Sequence, residues 1–201
     1  MKQIAISGTS RAVLGKKAAK QVRKEGNVPC VLYGEQKDAN GKPVAIHFVV
    51  SEKEINKLVY TPHIYLVDIK IDGVDHKAII KETQFHPVKD NVLHMDFFEV
   101  HAEKPIVMGV PVVAKGLAAG VRAGGRLMMM VRKLQVRALY SAIPEKLEID
   151  VTELQLGKSI NAGSLSFEGL ELVTPKEVIV CTVKMTRAAM GAAAAAAKEG
   201  K

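Results

Sequence analysis

Apolar and polar residues alternate along much of this chain, and a period of two predicts strands. Val44, Ile46, Phe48 and Val50 form one such run. Tyr65, Val67, Ile69 and Ile71 form another, interleaved with Asp68, Lys70 and Asp72. The adjoining Asp72-Gly73 dipeptide is a strong hairpin signal, with 74–81 as the returning strand. Residues 29–33 are a short apolar run closed by Gly34 and a polar loop through Lys42, and 92–100 reads as a further strand. Two stretches carry helical period instead. Leu14, Ala18 and Val22 recur every four residues within 14–25 and make one apolar stripe, and Gly26 stands where a C-cap glycine would. Ser51 and Glu54 have capping-box spacing and open a short helix to about Leu58. Many short strands with two small helices predict a compact β-barrel.

A short polar segment ending in proline, 101–105, marks a boundary. Beyond it the pattern is again β, at 106–114, 127–131, 134–138, 147–151 and 178–183. A glycine-rich stretch from Gly116 to Gly125 separates the first two, read as backbone flexibility in a hairpin loop. The expected organisation is therefore mainly β (α+β). A barrel domain with short helices spans 1–99, a mostly β domain spans 100–185, and an alanine-rich flexible tail spans 186–201.

Charge changes this picture at one place. The 201 residues carry a net charge of +8, which favours a polyanionic partner. The excess is uneven: from Lys2 to Lys24 there are seven Lys or Arg and no acid. Lys16, Lys20 and Arg23 lie opposite the apolar stripe of the first helix, with Lys17 and Lys24 beside them. Ordinary surface helices intersperse Glu to gain i,i+4 pairs, and this one does not before Glu25, so nucleic-acid contact is the better reading. Cys30 and Cys181 sit far apart in apolar runs with no CxxC spacing, which fits buried thiols rather than a disulfide framework or zinc site. No apolar stretch approaches membrane-spanning length, so a soluble protein is expected.

The densest polar cluster in an apolar setting is Gln84-Phe85-His86-Pro87, Asp90 and His94-Met95-Asp96-Phe97-Phe98. On a strand, His94 and Asp96 point to one sheet face, and Gln84 and His86 can do the same on the segment before Pro87. Such a face suits a metal, an acid-base pair, or RNA base edges, sugars and phosphates. No metal spacing is diagnostic, no nucleophile or cofactor loop is near, and the glycines of 120–125 match neither a P-loop nor a dinucleotide fingerprint. RNA contact remains, beside a satisfied polar network in the barrel wall. Tyr33, one of nine aromatic residues, fits equally a core ring with its hydroxyl at the rim or a surface ring reaching RNA. The Met128-Met129-Met130 run reads as strand packing.

Taken together these residues resemble the bacterial large-subunit ribosomal protein twenty-five family, in its long two-domain Ctc form, also known as a general stress protein. The resemblance runs from about Lys2 to Val183. It is carried by Arg11, Leu14-Gly15-Lys16 and the helix to Arg23, by Gly26, Pro29 and Val31-Leu32-Tyr33-Gly34, and by Gln84, His86-Pro87, Asp90 and His94-Met95-Asp96-Phe97. Gly124-Gly125, Ile143-Pro144-Glu145, Asp150-Val151 and 154–160 resemble its second domain. The resemblance implies a structural ribosomal protein, not an enzyme, needing no cofactor or metal. It implies 5S rRNA as partner, with the large subunit and neighbouring ribosomal proteins around it, in the cytoplasm. The contacts implied at matching positions are Arg11, Lys16, Lys20, Arg23, Tyr33, Gln84, His94 and Asp96. Gln21 stands where a basic residue would have suited the RNA face. The joint use of helix and strand face on one RNA is implied by the resemblance alone.

Overall fold

Asp72 and Gly73 both have positive φ, 48° and 92°, as the mirror-image two-residue hairpin turn requires. They join β4 (Tyr65–Ile71) to β5 (Val74–Phe85) in a computed structural model that describes residues 1–37 and 43–186. With β1 (Lys2–Ser10), β2 (Asn27–Lys37), β3 (Pro43–Ser51) and β6 (Val92–Glu99), these strands close a six-stranded barrel in the order β1-β3-β2-β6-β5-β4. A parallel β1–β4 ladder seals it. Alternation sends Ile6, Cys30, Leu32, Phe48, Val67, Ile69, Met95 and Phe97 into one interior core. Gly8 is small for a packing reason: a Cβ there would lie 2.6 Å from the Phe48 ring.

Helix α1 (Lys16–Lys24) is shorter than its sequence pattern and buries no residue. Gly15, at φ 108°, breaks the helix ahead of Lys16 and leaves Leu14 outside it, 52% exposed. The apolar stripe is thus Ala18, Ala19 and Val22, all half-buried. Its other end is as expected, with Gly26 at φ 77° just past the C-cap. Helix α2 (Glu52–Val59) buries Ile55 and Leu58 in the barrel core. Ser51 is its N-cap but makes no side-chain capping bond. Ser51 is still paired with Asn27 in the ladder, and the Glu52 N–H donates instead to the Gly26 carbonyl at 3.0 Å.

The chain divides into two compact units at Lys104/Pro105, with the turn 139–141 grouped with the first. The second unit contains β7 (Ile106–Lys115), α3 (Ala119–Arg122), β8 (Arg126–Met129), β9 (Lys133–Ala138), β10 (Leu147–Asp150), β11 (Ser159–Asn161), β12 (Glu171–Leu172) and β13 (Ile179–Lys184). One sheet runs β10-β7-β9-β12 and another β11-β13-β8. The stretch 116–125 is therefore no hairpin loop, because β7 and β8 lie in different sheets. Its glycines serve close packing: a Cβ on Gly120 would lie 2.6 Å from the Leu156 backbone nitrogen, and one on Gly125 2.6 Å from a Val183 methyl carbon. The methionine run also departs from expectation. Met128 on the edge strand β8 and Met130 just beyond its end are exposed, and Met129 is half-buried. Cys30 and Cys181 are buried and unpaired. Among the described residues no helix is long and apolar enough to cross a membrane. The alanine-rich segment from Arg187 onward lies outside the described residues.

Candidate nucleic-acid interface

Strand β6 buries Val92, Met95 and Phe97 and turns His94, Asp96 and Phe98 to the outside of the barrel. His94 Nδ1 lies 2.8 Å from Asp96 Oδ1, and each side chain is about a quarter exposed, 26% and 24%. Register builds a polar row around this pair. Asp96 faces Val31 on β2 and Glu82 on β5, Val31 faces His47 on β3, and Gln84 faces His94. Tyr33 is the partner of Phe98 across the β2–β6 ladder, and the two rings meet edge-on with centroids 6.0 Å apart.

Two bulges make this face. The register shifts between Ile80 and Glu82, so Lys81 has no partner on β6. Were Lys81 paired in an unbroken ladder instead, Glu82 and Gln84 would follow Ala78 and Ile80 into the core. A second shift, between Gln84 and Phe85, leaves Leu93 without a partner in the ladder. Its carbonyl accepts a hydrogen bond from Arg23 Nε at 2.9 Å, which fastens the last turn of α1 beside His94.

The electrostatics are mixed. Tyr33 is held above its usual phenol range, first by loss of hydration and then by the charges of Asp96 and Glu82. It therefore stays a hydroxyl donor. Beneath the face, burial pushes the Cys30 thiol up to about 12; Asp96 adds to the shift and Arg11 opposes it. Arg11 donates its backbone N–H to the His47 carbonyl at 2.8 Å. Its Nε and Nη1 are enclosed without a hydrogen-bond partner among the described residues. Enclosed guanidinium donors without an acceptor are costly, so this arginine calls for one. Lys16 and Lys20 are exposed on α1, and Glu25, the first acid in the sequence, accepts from Gln21 Nε2 at 3.1 Å.

The structure thus gathers Tyr33, Gln84, His94 and Asp96 on one outer face, sets Arg11 at the His47 backbone, and ties Arg23 to that face through Leu93. Lys16 and Lys20 belong to it only through their helix. His86 and Asp90 do not join it. His86 Nδ1 accepts from the Val88 and Lys89 N–H groups at 3.2 Å, and the Asp90 carbonyl accepts from the Tyr60 hydroxyl at 2.6 Å. They build the β5–β6 turn. Sequence reasoning missed Glu82, His47 and Phe98. Phe98 was legible as the residue two beyond Asp96; Glu82 was hidden by the bulge, and His47 by lying on β3, which reaches β6 only across β2. Among the described residues no group of three or more His, Cys, Asp or Glu is placed to hold a metal.

Comparison with known proteins matches residues 6–97 to the ribosomal L25p family and 105–187 to the C-terminal domain of ribosomal protein TL5. The chain is 59% identical to the large ribosomal subunit protein bL25 of Phocaeicola vulgatus, over 98% of this chain and all of that one. It is 53% identical to the protein of the same name from Bacteroides thetaiotaomicron, over 98% of this chain and all of the relative. The bL25 of Porphyromonas gingivalis is 54% identical over 96% of this chain and 98% of its own length.

Proposed function

The chain belongs to the ribosomal L25p family, and from that membership we propose that its first unit binds 5S ribosomal RNA through the outer face of β2, β5 and β6 together with α1. It is a structural protein of the bacterial large ribosomal subunit, not an enzyme. Its place of work in this reading is the ribosome in the cytoplasm, among the rRNA and neighbouring ribosomal proteins.

The observation that carries the RNA reading is the join between Arg23 and the Leu93 carbonyl. It sets a helix carrying Lys or Arg at 16, 17, 20, 23 and 24, and no acid, beside a strand face of hydrogen-bonding side chains. Cations on the helix meet phosphates; the strand face supplies what phosphates do not need. Asp96 and Glu82 repel the backbone and accept from base amino or imino groups, while Gln84 both donates and accepts. His94, fixed by Asp96 in one ring orientation, keeps Nε2 for the RNA. Tyr33 offers a neutral O–H. Single-stranded loops and bulges of a folded RNA expose such base edges. The His94–Asp96 pair has the distance of an acid-base couple, but it lies on the outer barrel surface and belongs to a family of structural proteins.

A gel shift of the full chain with 5S rRNA against an unrelated structured RNA of matched length tests the reading. Tighter binding of 5S rRNA at every salt concentration is expected. Equal affinity for both RNAs would leave only a basic protein and remove the specific partner.

A further inference from the structure

The second unit carries its own run without acids. From Pro105 to Pro144 there are six Lys or Arg and no Asp or Glu. Three of the six are engaged within the unit. Lys115 lies 3.5 Å from Glu148, Arg137 lies 3.5 Å from Glu171, and Arg122 donates to the Leu117 carbonyl at 3.4 Å. Arg126 is different. It opens β8 directly opposite Lys184 of β13, two cations paired across an antiparallel ladder. Both are exposed. Like charges in directly opposed positions destabilise a sheet, and neither has a carboxylate within ion-pair distance among the described residues.

Backbone bonds bring a third cation to the same end. The Lys158 carbonyl accepts from the Val183 N–H and from the Thr182 hydroxyl, both at 3.1 Å, and Lys158 is exposed. The open side of the sheet beside them carries Met128, opposite Thr182, which is opposite Ser159. No acid lies among these residues. The chain then runs on from Thr186, whose hydroxyl donates to the Gly124 carbonyl at 2.7 Å. The sequence after Thr186 adds Arg187, Lys198 and Lys201 against a single acid, Glu199. The chain's own continuation therefore has the wrong sign to neutralise the cluster.

We propose that the open face of the β11-β13-β8 sheet, at the end built by Arg126, Lys158 and Lys184, is a second contact surface for the sugar-phosphate backbone of RNA. A polyanion is the partner whose charge relieves the Arg126–Lys184 repulsion. The face has no acceptor-rich side chains like Asp96 or Glu82, so it meets phosphates without reading sequence. It adds RNA contact to the second unit whether or not the first unit is specific for 5S rRNA.

The test uses the full chain and a 20-base-pair RNA duplex of arbitrary sequence, with affinity measured across a salt series. Arg126→Gln together with Lys184→Gln should lower the slope of log K against log salt by about 1.4–1.8, from roughly 0.7–0.9 for each phosphate no longer neutralised. Without RNA the same variant should melt no lower than the parent, since a like-charge pair has been removed. The charge-conserving swap Arg126→Lys with Lys184→Arg should keep the parent slope. An unchanged slope in the glutamine variant, or an equal fall in the swap, overturns the proposal. Abolished binding to an acidic protein of the ribosome with unchanged RNA binding would also overturn it and assign the surface to protein. Failure of the first-unit reading shows separately, as equal affinity of the parent chain for 5S and unrelated RNA.

Discussion

Asp96 is a carboxylate on a surface proposed to meet a polyanion, and its partners give it two separable roles. It holds His94 at 2.8 Å, and its charge reaches the Tyr33 hydroxyl. Asp96→Asn keeps the size, removes the charge and replaces acceptor capacity with a donor. Discrimination between 5S and unrelated RNA should fall by about 1–3 kcal/mol, and His94→Ala should cost a similar amount. If Asp96→Asn tightens both RNAs by equal factors, the residue is only a nearby negative charge. Cys30 makes a second prediction at this scale. Its thiol stands near 12 in the folded protein against an ordinary value of 9.0. An acid whose folded value is raised loses its proton first in the unfolded chain. The stability it contributes is complete below about pH 9 and is lost as pH climbs toward 12. Urea midpoints measured from pH 8 to 11 should fall more steeply for the parent than for Cys30→Ala. In native buffer near pH 8, Cys30 should resist thiol reagents that label it in urea.

At the level of elements, one unpaired residue in β5 decides which side chains reach the surface. Deleting Lys81 removes the bulge without changing the register, because Glu82 then follows the inward Ile80 directly and still stands outward opposite Asp96. The variant should therefore keep a cooperative thermal transition, and its loss would show that the extra twist of the bulge is needed to close the barrel. The α1 helix calls for a graded test, because its cations are not equivalent. Lys16→Glu with Lys20→Glu should leave the circular dichroism spectrum intact and lower the salt slope of RNA binding by roughly 0.7–0.9 for each phosphate left without its cation. Adding Arg23→Glu also breaks the bond to Leu93, so it should weaken 5S binding beyond its charge effect. In the second unit, Gly120→Ala drives a methyl group into the Leu156 backbone and should destabilise by about 1–3 kcal/mol.

For the whole molecule, the two units separate at Lys104/Pro105, and the two family matches fall on either side of that point. We propose that residues 1–104 fold alone and bind 5S rRNA nearly as tightly as the full chain at moderate salt. The cut belongs at Lys104 rather than at Glu99 because Val100 is buried and its N–H donates to the Lys77 carbonyl at 2.9 Å. An unfolded fragment by circular dichroism would show that the barrel needs the rest of the chain. A folded fragment with a salt slope equal to the full chain's would count against RNA contact by the second unit.

The features legible in the chain before folding rest on local rules. The period of two placed β3, β4 and β6, the Asp72-Gly73 pair placed the β4–β5 hairpin, Gly26 placed the end of α1, and the missing acids marked the basic helix. Each depends on a residue and its near neighbours, as does the sharing of one face by His94 and Asp96. The resemblance of these motifs to a ribosomal family supplied the function, and the family matches agree on a ribosomal role. The remaining features come from strand pairing and packing between distant parts of the chain. That Glu82 and Gln84 stand outward depends on a bulge whose position is fixed by pairing with β6. That His47 joins the row depends on β3 lying beside β2 in a closed barrel. That Leu14 falls outside its helix depends on Gly15 at φ 108°. That the 116–125 glycines pack against Leu156 and Val183 rather than flex depends on chain far away in sequence. Periodicity reports which way a residue points along its own strand, whereas register, bulges and close approach are properties of pairs distant in sequence.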